Sequence, residues 1–287
     1  MLVTLHDVLR DAKQKQYAVG LFNTVNLEMA KGVIAAAEEA DSPVIIGTAE
    51  VLLPFSSLRE LAPMLVPLAK KARVPVVLHF DHGLTPEKIV EAIDLGFSSI
   101  MYDCSTNSFE DNCKEVASMV RFAHARGVSV EGELGHVGAN EGGAESTGTE
   151  DHSIYTEPAD ALRFVQETGV DALAVAIGTA HGAYKSTPKL HFDRLREIAE
   201  LVDTPLVLHG GSGLSDEDFR RSVANGIAKI NIFTDINQAA AKTAHDMFFE
   251  GAGMTDLMPH ITEAIKQATL KKMAVFGSPG HGRISGK

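Results

Sequence analysis

Three histidines share one kind of sequence context. His82 ends Val76-Val-Leu-His-Phe-Asp-His-Gly83, His181 ends Ile177-Gly-Thr-Ala-His-Gly182, and His209 ends Leu206-Val-Leu-His-Gly-Gly211. In each case a short apolar run stops at an imidazole, and glycine follows, which lets the backbone turn sharply and leaves room for a ligand. A lone histidine beside an apolar run reads as hydrogen-bonded packing, but three at equivalent positions read as a set. Three imidazoles, with other positions left for water or substrate, are the ligand set of a catalytic rather than a structural zinc. The remaining nine histidines, His79, His124, His136, His152, His191 and His245 among them, read as packing or surface residues. His79 lies inside its run, where a core residue or an orienting partner is expected.

Acids cluster in the same contexts. Asp81 precedes His82 and can place a carboxylate beside an oxygen held by the metal. Adjacent strand residues face opposite ways, so both reach one site only if the chain is already turning, which Gly83 makes feasible. The plainer roles for Asp81 are a helix cap or an ion pair. Asp103 follows another run, and Glu131 and Glu133 are spaced by two, which puts both on one face of a strand. A buried pair of glutamates needs a cation or donors, so a second metal position or a histidine-orienting role fits it; ion pairs at a rim are the plainer alternative. Gly210-Gly-Ser-Gly213 and Asn231-Ile-Phe-Thr-Asp235 offer exposed amides, with Ser212, Asn231 and Thr234 as side-chain partners for a phosphate.

These residues need a frame that gathers strand ends. Eight β-rich runs appear: Tyr17–Phe22, Val44–Ala49, Val74–Phe80, Ser98–Tyr102, Val128–Leu134, Ala172–Ile177, Leu206–His209 and Lys229–Ile232. Helical patterns lie between them at Leu27–Ala40, Thr85–Leu95, Phe109–Arg126, Pro158–Thr168, Phe192–Val202 and Ser215–Ala224. Proline at first-turn positions 86 and 158, and the acids after Ser215, mark helix starts. Such alternation predicts an α/β (β/α)8 TIM barrel, whose chemistry sits at the C-terminal ends of its strands and whose phosphate site follows the seventh and eighth. The doubly wound open sheet is the competing fold, but no Gly-x-Gly-x-x-Gly follows the first run. No linker or repeat divides the chain, so residues 1–287 read as a single domain with extra length in Gly135–Thr156 and in C-terminal helices from Ala239 onward.

A net charge of −12 with no compensating basic stripe argues against a nucleic-acid partner. An anionic substrate must then be met locally, by amides and helix N-termini. No run is long and apolar enough for a membrane span, and the first residues carry no secretory pattern, so the expected location is cytoplasmic. Cys104 and Cys113 are too few for a disulfide framework or a thiolate zinc site and read as buried free thiols.

Taken together, Tyr17-Ala-Val-Gly-Leu-Phe-Asn23, Pro75–Gly83, Val130-Glu-Gly-Glu-Leu-Gly135, Ala174–Gly182, Leu206–Gly213 and Lys229–Thr234 resemble the class II, zinc-dependent fructose/tagatose-bisphosphate aldolases and related ketose-bisphosphate aldolases. The likeness covers nearly the whole chain. It implies that His82, His181 and His209 bind catalytic zinc and that Asp81 exchanges a proton with the hydroxyl beside the breaking carbon–carbon bond. It implies further that Gly182, Gly210, Gly211, Ser212, Asn231, Ile232, Phe233 and Thr234 bind dihydroxyacetone phosphate, and that Asn23 lies near the substrate. Asp103 and Glu133 match positions that hold a second divalent or monovalent cation in relatives. The other product is an aldehyde such as glyceraldehyde 3-phosphate, and relatives are homodimers or homotetramers.

The chain also departs from the family pattern. Relatives commonly carry Val-Gly-Gly-x-Glu-Asp in the loop with a catalytic glutamate; this chain reads His136-Val-Gly-Ala-Asn-Glu-Gly-Gly-Ala-Glu145, with Glu141 the nearer match. Where relatives often place a serine after the second strand, it has Ala49-Glu50. A Schiff-base mechanism needs a lysine facing the mouth. Lys185 reads as lying in a loop and Lys229 as starting the eighth strand at the far end, so neither fits. Two other readings compete: a metal-dependent barrel hydrolase, which would want a His-x-His on the first strand where Val19-Gly-Leu-Phe stands, and a non-catalytic companion subunit, which should have lost ligands that are present here.

Overall fold

Eight parallel strands and the helices returning between them account for most of the chain. A computed structural model describes residues 1–135, 138–139, 155–181 and 188–283. The barrel strands are β1 (Val19–Asn23), β2 (Val44–Ala49), β3 (Val76–Gly83), β4 (Ser99–Tyr102), β5 (Ser129–Leu134), β6 (Ala172–Val175), β7 (Leu206–Leu208) and β8 (Ile227–Ile232). Each pairs in parallel with its neighbours in sequence, β8 pairs with β1 through Lys229↔Val19 and Asn231↔Leu21, and β3 pairs with β4, so the sheet closes on itself as a (β/α)8 barrel. The helices after the strands are α1 (Leu27–Glu39), α2 (Leu58–Lys71), α3 (Pro86–Asp94), α4 (Phe109–His124), α5 (Pro158–Thr168), α6 (Phe192–Leu201), α7 (Asp216–Ala224) and α8 (Thr234–Met247), with α9 (Met254–Phe276) packed on α1 and α8.

All six helical patterns expected from the sequence form within two residues of their predicted ends. The C-terminal helices expected from Ala239 onward are α8, which starts earlier at Thr234, and α9; among the described residues two further α-helices were not expected. α2 carries Pro63 and Pro67, which obscure a helical reading, although Ser57 and Glu60 form a capping box at its start. The N-terminal helix, Leu5–Lys15, is capped by Thr4 and Asp7 and presents Leu5, Val8, Leu9 and Ala12 to the base of the barrel.

Strand alternation sorts the core into two layers. Val19, Leu21, Ile45, Val77, Ala172, Ala174 and Val207 point inward and pack with the N-terminal helix into a plug. Phe22, Ile46, Leu78, Phe80, Ile100, Val130, Leu208 and Ile230 point outward beneath the surrounding helices. The apolar plug fills the lower interior, so the polar residues farther along the same inward faces collect at the C-terminal mouth.

Candidate metal and catalytic site

On β3 the inward positions are Val77, His79 and Asp81, in strict alternation with outward Leu78 and Phe80. His82 would then face out, but its backbone adopts φ +42°, a left-handed conformation that L-residues seldom take. The β3–β4 register breaks at the same place, between Phe80 and Gly83. Gly83 makes the turn possible: a Cβ there would lie 2.8 Å from the Met101 carbonyl oxygen and 2.6 Å from Ile89 Cγ1. Glu50 pins the chain just beyond, accepting from the amides of Leu84 (2.7 Å) and Thr85 (3.1 Å) and from the Thr85 hydroxyl (2.9 Å). Asp81 and His82 therefore both reach the mouth.

His209, at the end of β7, meets His82 there. His209 Nδ1 and His82 Nε2 are 2.7 Å apart, with the rings edge to face. Each ring is held by a carboxylate on its other nitrogen: His82 Nδ1 lies 2.8 Å from Asp103 Oδ2, and His209 Nε2 lies 2.8 Å from Glu131 Oε1. Asp103 is itself fixed by the amide and hydroxyl of Ser105. Carboxylates on the remote nitrogens fix the tautomer and aim the front nitrogens at a common point, as metal sites require.

Asp81 is buried between two amides. Asn23 Nδ2 donates to its Oδ2 at 2.8 Å and Asn231 Nδ2 to its Oδ1 at 3.0 Å. Burial works to raise its carboxyl, but His82, Lys229 and His209 outweigh that and hold it well below the usual carboxylate range. Burial works to lower His82, and Asp81, Asp103 and Glu133 outweigh that, raising the ring to about 9. His79 goes the other way: burial, with Lys229 beside it, holds the ring down at about 4. It is therefore a neutral imidazole, fully buried and bonded through Nδ1 to Ser99 Oγ at 2.8 Å.

Lys229 corrects the sequence reading. It is the third residue of β8 rather than its first, is fully buried, and extends inward to Glu131, with Nζ 2.8 Å from Oε2 and 3.1 Å from Oε1. It is thus a buried ion-pair partner beneath the mouth. Glu131 and Glu133 lie on one inward face, as their spacing requires, but their surroundings differ. Glu131 takes a lysine as its cation and a histidine to orient, and Lys229 and His209 overcome the effect of burial to hold it at about 2. Glu133 lies higher, in a group with His82 and Asp103.

The donor set suits a divalent cation. Asp81, His82 and His209 offer ligand atoms within 4.8 Å of one another, and so do His82, Asp103 and Glu133. Asp81, Asp103, Glu131 and Glu133 bring four carboxylates to this region, where Lys229 neutralises Glu131. The carboxylates of Asp81, Asp103 and Glu133 stand beside two aimed imidazoles, a surplus of acids and donor atoms that a cation would balance.

The loops after β7 and β8 also meet. Phe233 N approaches Ser212 Oγ at 3.4 Å, and a Cβ on Gly211 would come within 2.9 Å of the Asn231 carbonyl oxygen, so only glycine permits this approach. Gly210 has φ +65° and Gly213 φ +93°. Ile232 ends β8, and Thr234 begins α8 with its N-terminal amides at the mouth. Asn23, Asp81, Asp103, Glu133, His82, His209, Gly210–Ser212 and Asn231–Thr234 are thus gathered at one end of the barrel. His181 belongs to a two-residue strand, Ala180–His181, which pairs with Gly138–Ala139; its side chain, Gly182, Glu141 and Glu145 lie outside the described residues.

The closed parallel barrel thus carries at its C-terminal mouth imidazoles and carboxylates grouped closely enough to hold a metal ion. Residues 3–281 match the family model described as fructose-bisphosphate aldolase class-II. The chain is 42% identical over 280 residues to the Escherichia coli protein YdjI, covering 98% of this chain and 99% of that one. It is 40% identical over 285 residues to the fructose-bisphosphate aldolase of Geobacillus stearothermophilus, covering 97% and 98%. The crystal structure of the YdjI aldolase superposes with a TM-score of 0.89, covering 99% of this chain and 100% of that one. The chain belongs to the class-II fructose-bisphosphate aldolase family, and is an aldolase in the lyase class.

Proposed function

We propose that the protein is a zinc-dependent aldolase that cleaves or forms a ketose 1-phosphate or 1,6-bisphosphate, with dihydroxyacetone phosphate as the ketone-side product and an aldehyde as the other. One observation carries this reading: two imidazoles, each anchored by a carboxylate on its far nitrogen, aim their near nitrogens at one point beside a clamped aspartate. His82 and His209 would hold the metal, with His181 as the third ligand. When bound, zinc supplies Lewis-acid stabilisation of the negative charge that develops as the carbon–carbon bond breaks.

Asp81 serves as the base. Its carboxylate is ionised and fixed by Asn23 and Asn231, so it can accept the proton of the hydroxyl on the carbon that becomes the aldehyde. In condensation it returns that proton. Gly210–Ser212 and Asn231–Thr234 bind the phosphate of the ketone half through backbone amides and hydroxyls, which explains how a chain of net charge −12 takes an anionic substrate. Glu141 serves as the loop acid, and Asp103 and Glu133 as the seat of a second cation.

The test is a screen of aldehydes, glyceraldehyde 3-phosphate included, with dihydroxyacetone phosphate in the condensation direction and zinc supplied. Carbon–carbon bond formation with at least one aldehyde is expected, and chelation should abolish it. Hydrolysis of a phosphate or amide substrate without condensation would favour the hydrolase; no turnover and no bound metal would favour the companion subunit.

A further inference from the structure

The geometry points to Lys229 as a positioning residue that fixes the orientation of the Asn231 amide and, through it, the carboxylate of Asp81. The inference rests on the assignment of Asp81 as base. Lys229 Nζ lies 2.7 Å from Asn231 Oδ1, as well as 2.8 Å from Glu131 Oε2. An ammonium has three donors and no acceptor, so the atom of Asn231 that faces it must be the carbonyl oxygen. The NH2 group is then forced to the other side, where it donates to Asp81 Oδ1 at 3.0 Å. A flipped amide would set its NH2 against the ammonium and its oxygen against the carboxylate, two repulsive contacts in a buried site.

The second amide on Asp81 lacks such a device. Asn23 Nδ2 donates to Asp81 Oδ2 at 2.8 Å, but Asn23 Oδ1 is buried with no hydrogen-bond partner among the described residues. Asn23 is thus oriented by Asp81, whereas Asn231 is oriented independently of Asp81. The same ammonium neutralises Glu131, which holds His209 Nε2 at 2.8 Å. One buried lysine therefore supports both halves of the site: the base through Asn231 and a metal-directed imidazole through Glu131. Lys229 meets the segment Asn231–Thr234 only through the Asn231 side chain and donates its other bonds to Glu131. Its stem rises from a register level with Val19 and Val207, both in the apolar plug.

The test is Lys229→Met, which keeps the stem and removes charge and donors, made alone and with Asn231→Ala. In the metal-free protein, hydrogen exchange of the Asn231 side-chain amide is followed by NMR. The wild type should protect these protons and Lys229→Met should lose the protection; undiminished protection overturns the inference whether or not the protein is an aldolase. In the zinc-loaded protein Lys229→Met should lower kcat about 10- to 100-fold, with KM for the ketose phosphate changed little. In the Asn231→Ala background the same change should lower kcat by a clearly smaller factor than in the wild type, because the route through Asn231 is already removed and only the route through Glu131 is left. Full additivity would overturn the route through Asn231. If Lys229→Met strands Glu131 and fails to fold, Lys229→Met/Glu131→Gln, compared with Glu131→Gln, carries the same comparisons with both charges gone.

Discussion

Replacing His209 by alanine is expected to remove the metal and abolish turnover while the barrel stays folded. The ring is fully buried, lies 2.7 Å from His82 Nε2 and 2.8 Å from Glu131, and is one of the two imidazoles described at the mouth. Without it one aimed nitrogen is lost and its anchor has nothing to orient. Bound zinc should fall from stoichiometric to near zero, and kcat/KM by at least about 10³-fold, the upper range for losing one preorganised electrostatic partner. The fold persists because Glu131 keeps Lys229 as its counter-ion, so no buried charge is left alone. Truncating a buried ring of this size costs about 2–4 kcal/mol, which lowers the melting temperature without removing cooperative unfolding. Zinc content by atomic absorption, with circular dichroism as the control for folding, checks the result; zinc retained at full stoichiometry would remove His209 from the ligand set.

Asp81→Ala is expected to give the opposite separation, keeping the metal and losing the chemistry. Asp81 stands close enough to His82 and His209 to be a third ligand, so the two roles need to be told apart. Both of its oxygens are already engaged by amides, Oδ2 by Asn23 and Oδ1 by Asn231, which favours a fixed base. Positioned general bases contribute about 10²–10⁴-fold, and kcat should fall within that range while zinc and dihydroxyacetone phosphate still bind. A normal rate would exclude Asp81 from the mechanism, and loss of zinc would make it a ligand instead. Isothermal titration with dihydroxyacetone phosphate, alongside steady-state rates, distinguishes the outcomes.

Much of this site is legible in the sequence because a barrel converts strand ends into neighbours. His82 and His209 lie 127 residues apart in the chain, yet each closes an apolar run before glycine, and the closed sheet brings them into contact. The Asp81-His82 pair was ambiguous by alternation alone, and the left-handed backbone at His82 resolves it, with Gly83 as the visible signal. Lys229 was obscured for a different reason. A lysine at the edge of an apolar run reads as the solvent-facing start of a strand, whereas here the strand begins two residues earlier, at Ile227, and the ammonium reaches Glu131 inside the barrel. The signal available was the unpaired demand of Glu131 itself: an inward glutamate needs a cation, and an inward lysine two residues before Asn231 supplies it. The Leu5–Lys15 plug is hidden in the sequence because a helix preceding the first strand is no part of the strand–helix alternation.

X-ray absorption at the zinc edge of the purified, active protein reads the metal's ligands themselves. One zinc per chain is expected, with imidazole scattering and nitrogen ligands at about 2.0–2.1 Å, and loss of part of that scattering in His82→Ala. A zinc shell of sulfur or of carboxylate oxygen alone, or full activity in protein stripped of metal, would contradict it.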